Sequence, residues 1–321
     1  MTSLFSVAKA ASAMAIAAAL LGGPVHAQTW PKGTVDVIIP SSPGGGFDTY
    51  ARILAKVMSD NIGVQVVPKN ISGGGGMRGA QAAFAARPDG QTFAIFNIPG
   101  IIEPVVNGEN PPYDLDKINW MGAMAFNQYI VVVAKDSPYN TIGDLKAAGV
   151  PITFTGYGSS GLAANRIMCG EVGLSCKVIT GYPGNNDALL GVVRGDAVAS
   201  VTPITTAAAF NTGGDLKGLL LMSDRAVSAF PNTQTSADAG YPTLSNLGLV
   251  RAFGMPPAVK PEVAEQMDKA FAEALADPEL AEWSKSTESP LDPMNAEELK
   301  ELIVSQTALL TQYKDVIGQS N

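Results

Sequence analysis

Hydrophobic and polar positions follow the same order four times along the chain. Each unit opens with a short apolar, β-branched run, continues with a turn of small residues, and ends with apolar positions at helical spacing. The four units are residues 35–59, 64–86, 152–172 and 177–196. Strands that alternate with helices in this way predict parallel sheets covered by helices on both faces. Right-handed crossovers place the strand-to-helix turns of one sheet along one edge, where ligands of such sheets bind.

The remaining apolar runs complete the prediction of the fold. Residues 128–136 (QYIVVVAKD) and 216–224 (LKGLLLMSD) are expected to be strands. A capping box of Asn295 with Glu298 opens the last helix, which we expect to end near Ile317. The sequence therefore predicts an α/β fold of two lobes, each a mainly parallel sheet flanked by helices.

The four units fall into two pairs, and each pair predicts one lobe. The expected first lobe is 28–128 with 250–321, and the expected second lobe is 129–249. Between them we expect a cleft that receives two Gly-rich helix starts from each side. A helix N-terminus carries unsatisfied N–H groups and roughly half a positive charge, so it attracts carboxylate or phosphate. The glycines at 44–46 and 73–76 remove side chains that would block such a ligand.

Composition and charge narrow the range of partners. The chain has 321 residues, of which 46% are hydrophobic, so it can bury a sizeable core. Its formal net charge is -8, which argues against nucleic acid and anionic membrane surfaces as partners. An acidic protein can still hold an anion where the local field comes from backbone dipoles.

Residues 1–27 have the pattern of a secretory signal peptide. Lys9 precedes an apolar stretch at 10–21, which is too short to span a bilayer. Small residues before Gln28 predict cleavage there and a periplasmic mature protein. His26 is the single histidine of the chain, so the mature protein would have none.

Motifs for nucleotide binding or covalent catalysis are incomplete. In "SSPGGGFDTY" the third glycine of a dinucleotide-binding motif is replaced by Asp48 or Thr49, and the chain has no G-K-[ST] sequence. Ser159 and Ser160 lie in "GYGSSG", but without a histidine no Ser-His-Asp triad can form. We therefore expect no enzymatic activity, no cofactor and no metal.

Three features each leave two interpretations open. Cys169 and Cys176 are a plausible disulfide in an oxidising compartment, or else two reduced buried thiols. Asp48 either pairs with Arg52 as a first-turn acid, or orders the loop or a water that contacts the ligand. Asp187 is either a ligand contact or a plain N-cap.

Residues 35–95 contain an apolar strand, several spaced prolines and glycines, and a helical pattern, and the positions that stand out are Pro40, Pro43, Gly44, Gly45, Asp48, Asn70, 73–76 and 87–92. These positions match the pattern of an apolar strand, P-x-x-P-G-G-x-x-D, a helix, V-V-x-x-N, G-A-G-G and A-x-x-x-P-D-G-x-T. In this pattern the stretch closely resembles the first lobe of the Bug receptors, the periplasmic substrate-binding proteins of tripartite tricarboxylate transporters. A weaker likeness runs through the rest of the chain, including "GYPGNNDALLGVVRGD".

The resemblance implies a Venus-flytrap fold whose lobes close on a small carboxylate. It also implies that the two Gly-rich loops hold one carboxylate, partly through water, while the second lobe contributes its own helix starts. The ligand-binding residues it implies are Pro43, Gly45, Phe47, Asp48, Gly75, Gly76, Met77, Ser159, Ser160 and Asp187, with Thr202 added because it ends a strand at the same cleft. Asn97 and Phe126 are expected near the rim.

Two departures from the family pattern bear on the ligand. Phe47 stands where many members have a small polar residue, and the family's S-x-x-H-L lacks its histidine here. These differences favour a mono- or dicarboxylate over citrate.

The implied partner is a membrane permease and the expected state is a monomer. The alternative is a receptor that signals to a sensor kinase without transport.

Overall fold

The structure, a computed structural model, describes residues 30–182, 184–287 and 289–317. The expected signal peptide lies outside the described residues. The described strands are β1 (Val35–Ile39), β2 (Val66–Asn70), β3 (Thr92–Ile98), β4 (Asn119–Ala134), β5 (Ile152–Thr155), β6 (Cys176–Ile179), β7 (Ala199–Pro203), β8 (Leu216–Met222), β9 (Gly248–Met255) and β10 (Met294–Asn295).

Helices follow most of these strands in the chain. The described helices are α1 (Gly46–Ile62), α2 (Met77–Phe84), α3 (Glu103–Val106), α4 (Ile142–Ala147), α5 (Gly158–Val172), α6 (Asn185–Arg194), α7 (Ile204–Phe210), α8 (Pro261–Leu275), α9 (Pro278–Ser286), α10 (Ala296–Gln312) and α11 (Lys314–Ile317). None of them combines the length and the apolar character that crossing a bilayer requires.

The capping box predicted for the last long helix is present. The Asn295 side chain accepts hydrogen bonds from the backbone N–H groups of Glu297 and Glu298, and the Glu298 carboxylate accepts one from Asn295 N. The helix ends earlier than expected, at Gln312, and the short α11 continues to Ile317.

Among the described strands, parallel pairing is limited to the strands of the four sequence units and their immediate neighbours. β1 lies parallel to β2 and β3, and β5 lies parallel to β6 and β7. In contrast, β9 is antiparallel to β3 and β4, and β4 is antiparallel to β7 and β8. The α/β class is confirmed, but the expectation of mainly parallel sheets needs this correction. The strand β4 takes the chain out of the first sheet into the second, and β9 brings it back into the first sheet. The two strands therefore run in opposite directions and pair antiparallel.

The long strand β4 belongs to two sheets. From Asn119 to Gln128 it pairs with β9, and from Tyr129 onwards it pairs with β7 and β8. We call β1, β2, β3, β9, β10 and the first part of β4 the first sheet. The second sheet consists of the rest of β4 with β5 to β8. The lobe limits drawn from the sequence stay a prediction.

Two buried clusters hold most of the core. One lies between the first sheet and the helices α1 and α8, and includes Leu54, Phe93 and Phe271. The other extends from Phe96 of the first sheet to Phe154 of the second, and takes in residues of α10. The two sheets therefore share a continuous apolar core.

A disulfide joins Cys169, near the end of α5, to Cys176 at the start of β6. Gly173 lies between them in the left-handed conformation, with φ 67°, where it ends α5 and turns the chain back. The structure thus contains the bonded pair, and not the two reduced thiols.

Candidate functional site

A cavity of about 640 Å³ lies between the two sheets, at the ends of their parallel strands. One wall is formed by the loop from Pro40 to Phe47, together with Gly73, Gly76 and Asn97. The opposite wall consists of Tyr157, Ser160, Gly161, Asn185, Pro203, Thr205 and Thr206. Tyr129, Leu249 and Arg251 come from the strands that connect the sheets and complete the lining.

The first wall presents the N-terminus of α1 to the cavity. Gly45 is the N-cap residue, and no side chain caps the helix there. Gly44 has φ 80°, a left-handed conformation that glycine adopts without strain. The first N–H groups of the helix have no intrahelical acceptor, so they can bind an anion at this point.

Asp48 lies behind this loop and holds it in place. Its carboxylate accepts hydrogen bonds from Gly44 N, Arg52 Nε and Asn70 Nδ2, each at 2.8 Å. Asn70 also donates to Ser41 O at 2.9 Å. These bonds tie both ends of the loop to α1 and β2. The structure therefore includes both the ion pair with Arg52 and the loop-ordering contacts considered for Asp48.

The hydrogen-bond network keeps Asp48 ionised. The hydrogen bond from Arg52, followed by those from Gly44 and Asn70, lowers the pKa of Asp48 from 3.8 to about 2, although burial acts in the opposite direction. Asp48 is 2% exposed and does not line the cavity. Its negative charge is thus paired within the protein, by Arg52 and by hydrogen bonds from Gly44 and Asn70.

Arg251 of β9 is a cavity residue that the sequence analysis did not identify. It is 7% exposed, and its guanidinium Cζ lies 4.1 Å from the Tyr50 ring centroid and 5.6 Å from that of Phe47. Nη1 donates to Asn127 Oδ1, and Nε lies 3.5 Å from Gly46 O. Burial lowers the pKa of Arg251, but an arginine stays charged. A lone charge within the apolar run "LGLVRAFGM" was the available signal.

The second wall contributes two further helix starts. α5 follows Tyr157 and α6 follows Gly184, and neither N-cap side chain makes a capping hydrogen bond. Asn97 of β3 donates from Nδ2 to Ser160 Oγ at 3.4 Å, so a hydrogen bond crosses from one wall to the other. The cavity is therefore bounded by helix N-termini on both sides.

The residues implied by the family resemblance fall into three groups. Those that line the cavity are Pro43, Gly45, Phe47, Gly76, Ser160 and the rim residue Asn97. Those outside the lining are Asp48, Met77, Phe126, Asp187 and Thr202. Gly75 lies in the short 3-10 turn before α2 and Ser159 in the first turn of α5. For the residues of all three groups, contact with a ligand stays a prediction.

The residues outside the lining have other surroundings. Met77 packs against the larger core cluster, and Phe126 lies across Gly248 of β9. Thr202 is 2% exposed. Asp187 is exposed and is the third residue of α6, where Gly184 is the N-cap.

A family model described as "Tripartite tricarboxylate transporter family receptor" matches residues 50–319. The protein BugT of Bordetella pertussis is 27% identical over 242 residues, which cover 71% of this chain and 72% of BugT. A UPF0065 protein of the same organism is 24% identical over 287 residues, or 87% of this chain and 88% of the relative.

Solved structures share the fold at low sequence identity. A TctC solute binding protein from Polaromonas superposes with a TM-score of 0.76 at 19% identity, covering 90% of this chain and 99% of that one. MatC from Rhodopseudomonas palustris, solved with bound malate, gives 0.70 at 18% identity and covers 90% and 100%. An R. palustris protein solved with adipate gives 0.72 at 19% identity and covers 90% and 98%.

These proteins are two-lobed periplasmic binding proteins, and the match of the family model extends over most of this chain. The chain therefore belongs to the tripartite tricarboxylate transporter receptors, a family of periplasmic solute receptors.

Proposed function

We propose that the protein binds a small organic carboxylate in the cavity between its sheets and delivers it to a membrane permease. The observation that carries the proposal is the opening of two long helices, α1 and α5, into the same cavity without side-chain caps. Helix N-termini bind carboxylates through backbone N–H groups and the helix dipole. The lining is otherwise apolar or neutral, apart from Arg251.

The ligands of the similar proteins favour the same class. Malate and adipate are both dicarboxylates, and they occupy proteins that share this fold. The family is one of solute receptors, and the chain shares the fold of a solute binding protein. We therefore infer that the protein catalyses no reaction on its ligand.

Ligand binding would close the two lobes, 28–128 with 250–321 and 129–249, around the strands β4 and β9. Closure of this kind needs a ligand that contacts both lobes. The hydrogen bond from Asn97 to Ser160 already links the two walls. The receptor would act as a monomer in the periplasm, after cleavage before Gln28.

A thermal-shift screen of the purified protein tests the binding step. The panel contains malate, adipate, benzoate, glutamate and citrate, with adipamide as the uncharged control. An acid at 100 times its dissociation constant stabilises the folded state by about 2.7 kcal/mol. We expect a clear rise in Tm with at least one mono- or dicarboxylate and none with adipamide. A folded protein that responds to no acid, and that releases none on denaturation as judged by mass spectrometry, would contradict the proposal.

Uptake measurements test the delivery step. A strain that lacks the receptor should lose uptake of the labelled acid that the screen selects, and expression of the receptor should restore it. Unchanged uptake, together with loss of a transcriptional response to that acid, would instead favour a receptor that serves a sensor kinase.

A further inference from the structure

Arg251 carries a buried positive charge that no acidic side chain of the described residues neutralises. Among the described residues, Asp48 and Arg251 are the buried charged residues, at 2% and 7% exposed. Asp48 pairs with Arg52, whereas no described carboxylate lies within 4.0 Å of the Arg251 guanidinium. A buried charge without a partner is unfavourable, so its presence at a cavity wall requires an explanation.

The surroundings of Arg251 hold the guanidinium at the start of α1. The Tyr50 ring lies 4.1 Å from Cζ, and Asn127 accepts a hydrogen bond from Nη1. Nη2 makes no hydrogen bond with the described residues, and it lies 3.0 Å from the position that a Cβ on Gly46 would occupy. Gly46 is part of the cavity wall. The unused donors of Arg251 are therefore next to the N–H groups of the α1 N-terminus.

We propose that Arg251 forms a direct ion pair with a carboxylate of the bound solute, and that this carboxylate is shared with the N-terminus of α1. This inference rests on the proposed carboxylate receptor function and specifies its ligand. A guanidinium and adjacent backbone N–H groups can together satisfy both carboxylate oxygens. The ligand then supplies the counter-charge that Arg251 lacks in the protein alone.

The same arrangement limits the number of carboxylates. The described residues of the opposite wall include no charged side chain. A second carboxylate would depend on the N-termini of α5 and α6 and on neutral groups such as Ser160 and Asn185. A third carboxylate would have no positive partner. The ligand class is therefore a mono- or dicarboxylate, and citrate should bind least well.

Two substitutions at Arg251 test the ion pair against a matched control. Arg251→Met keeps much of the side-chain volume without the charge, and Arg251→Lys keeps the charge without the planar fork. Arg194→Met removes the same charge from the exposed end of α6. Dissociation constants are measured by calorimetry with the acids of the thermal-shift panel, and Tm is measured without any acid.

Arg251→Met should lower the affinity for each acid that binds the native protein on the order of 100-fold, because a buried hydrogen-bonded charge pair is lost. Arg251→Lys should lower the affinity about tenfold, since lysine keeps the charge but lacks the planar fork with which arginine can bind Asn127 and the ligand at the same time. Arg194→Met should leave affinity unchanged. Without ligand, Arg251→Met should have an equal or higher Tm, because it removes an unpaired buried charge.

Affinities within threefold of the native value in both Arg251 variants would overturn the ion pair while leaving the receptor function intact. If Arg251→Met does not fold, Arg251→Lys decides between the same two outcomes. Failure of every acid to bind the native protein would instead contradict the receptor function on which the inference rests.

Discussion

At the scale of single residues, the two buried charges near the cavity have different tasks. The Asp48 carboxylate forms its hydrogen bonds inside the protein, where it joins α1, β2 and the loop that starts at Pro40. Arg251 retains an unused donor beside that loop. The first residue orders the wall of the cavity, and we propose that the second meets the ligand.

The lowered pKa of Asp48 predicts a pH-dependent contribution to stability. A carboxyl whose folded pKa is about 2 and whose unfolded pKa is 3.8 stabilises the fold above pH 3.8, and this stabilisation disappears as the pH falls through 2. Asp48→Asn should therefore lower the free energy of unfolding by about 2 kcal/mol at pH 7, and by less at pH 3. Urea denaturation at both pH values measures the difference.

Asp60→Asn is the matched control for this substitution. Asp60 also pairs with a basic residue one turn away in α1, since Lys56 Nζ lies 3.2 Å from its carboxylate, but both side chains are exposed. Exposed pairs contribute little, so this variant should change stability by less than about 1 kcal/mol at either pH. If the free energy of unfolding changed equally with pH in the two variants, the burial of Asp48 would have no part in its contribution to stability.

At the scale of elements, the start of α1 combines two kinds of glycine. Gly44 requires its left-handed conformation, with φ 80°. Gly45 has φ -79°, and a Cβ there would meet its nearest neighbour, Ser42 O, at an ordinary 3.5 Å. Gly45 can therefore accept a side chain in the folded protein. Its lack of one leaves the helix N-terminus open to the cavity.

Gly45→Val should separate ligand binding from folding. We expect its Tm without ligand to remain within a few degrees of the native value, because the backbone conformation is compatible with a side chain. Affinity for the selected acid should fall at least tenfold, because the valine side chain would occupy the approach to the α1 N–H groups. Calorimetry and circular dichroism melts provide the two measurements.

Gly143→Val in α4 serves as the control, since Gly143 lies outside the cavity lining and a Cβ there would have its nearest contact at 3.4 Å. Unaltered affinity in Gly45→Val would place the ligand elsewhere. An unfolded variant would show that the turn itself requires glycine at this position.

At the scale of the whole molecule, the two sheets share a strand and a buried core. β4 enters both sheets, and the larger buried cluster includes residues of both together with Leu299 and Leu309 of α10. Separation of the sheets would therefore expose core side chains of each. A hinge between them can flex only as far as this shared core allows.

The shared core predicts that the protein unfolds in a single thermal transition. Chains with independent domains commonly deviate from two-state behaviour. Here we expect the calorimetric and van't Hoff enthalpies of the ligand-free protein to agree, and a bound acid to shift the whole transition. Two resolved transitions, of which the acid shifts only one, would mean that the lobes unfold independently.

Some of the site followed directly from local patterns. The run 35–39, the glycines at 44–46 and the apolar spacing from Tyr50 to Met58 predict a strand, an open turn and a helix within about two dozen residues. The same logic predicted the helix starts near Ser160 and Asn185, and the family pattern at 35–95 indicated the receptor family. Each of these signals depends on neighbours in the chain.

The sequence by itself determined the α/β class, the Gly-rich helix starts and the capping box at Asn295, because helical and strand periodicity and caps act over a few residues. Only the tertiary structure decided the antiparallel placement of β4 and β9, and the position of Arg251 beside Gly46, 205 positions away in the chain. That position depends on strand order and register in the assembled sheet, and no local pattern specifies either of them.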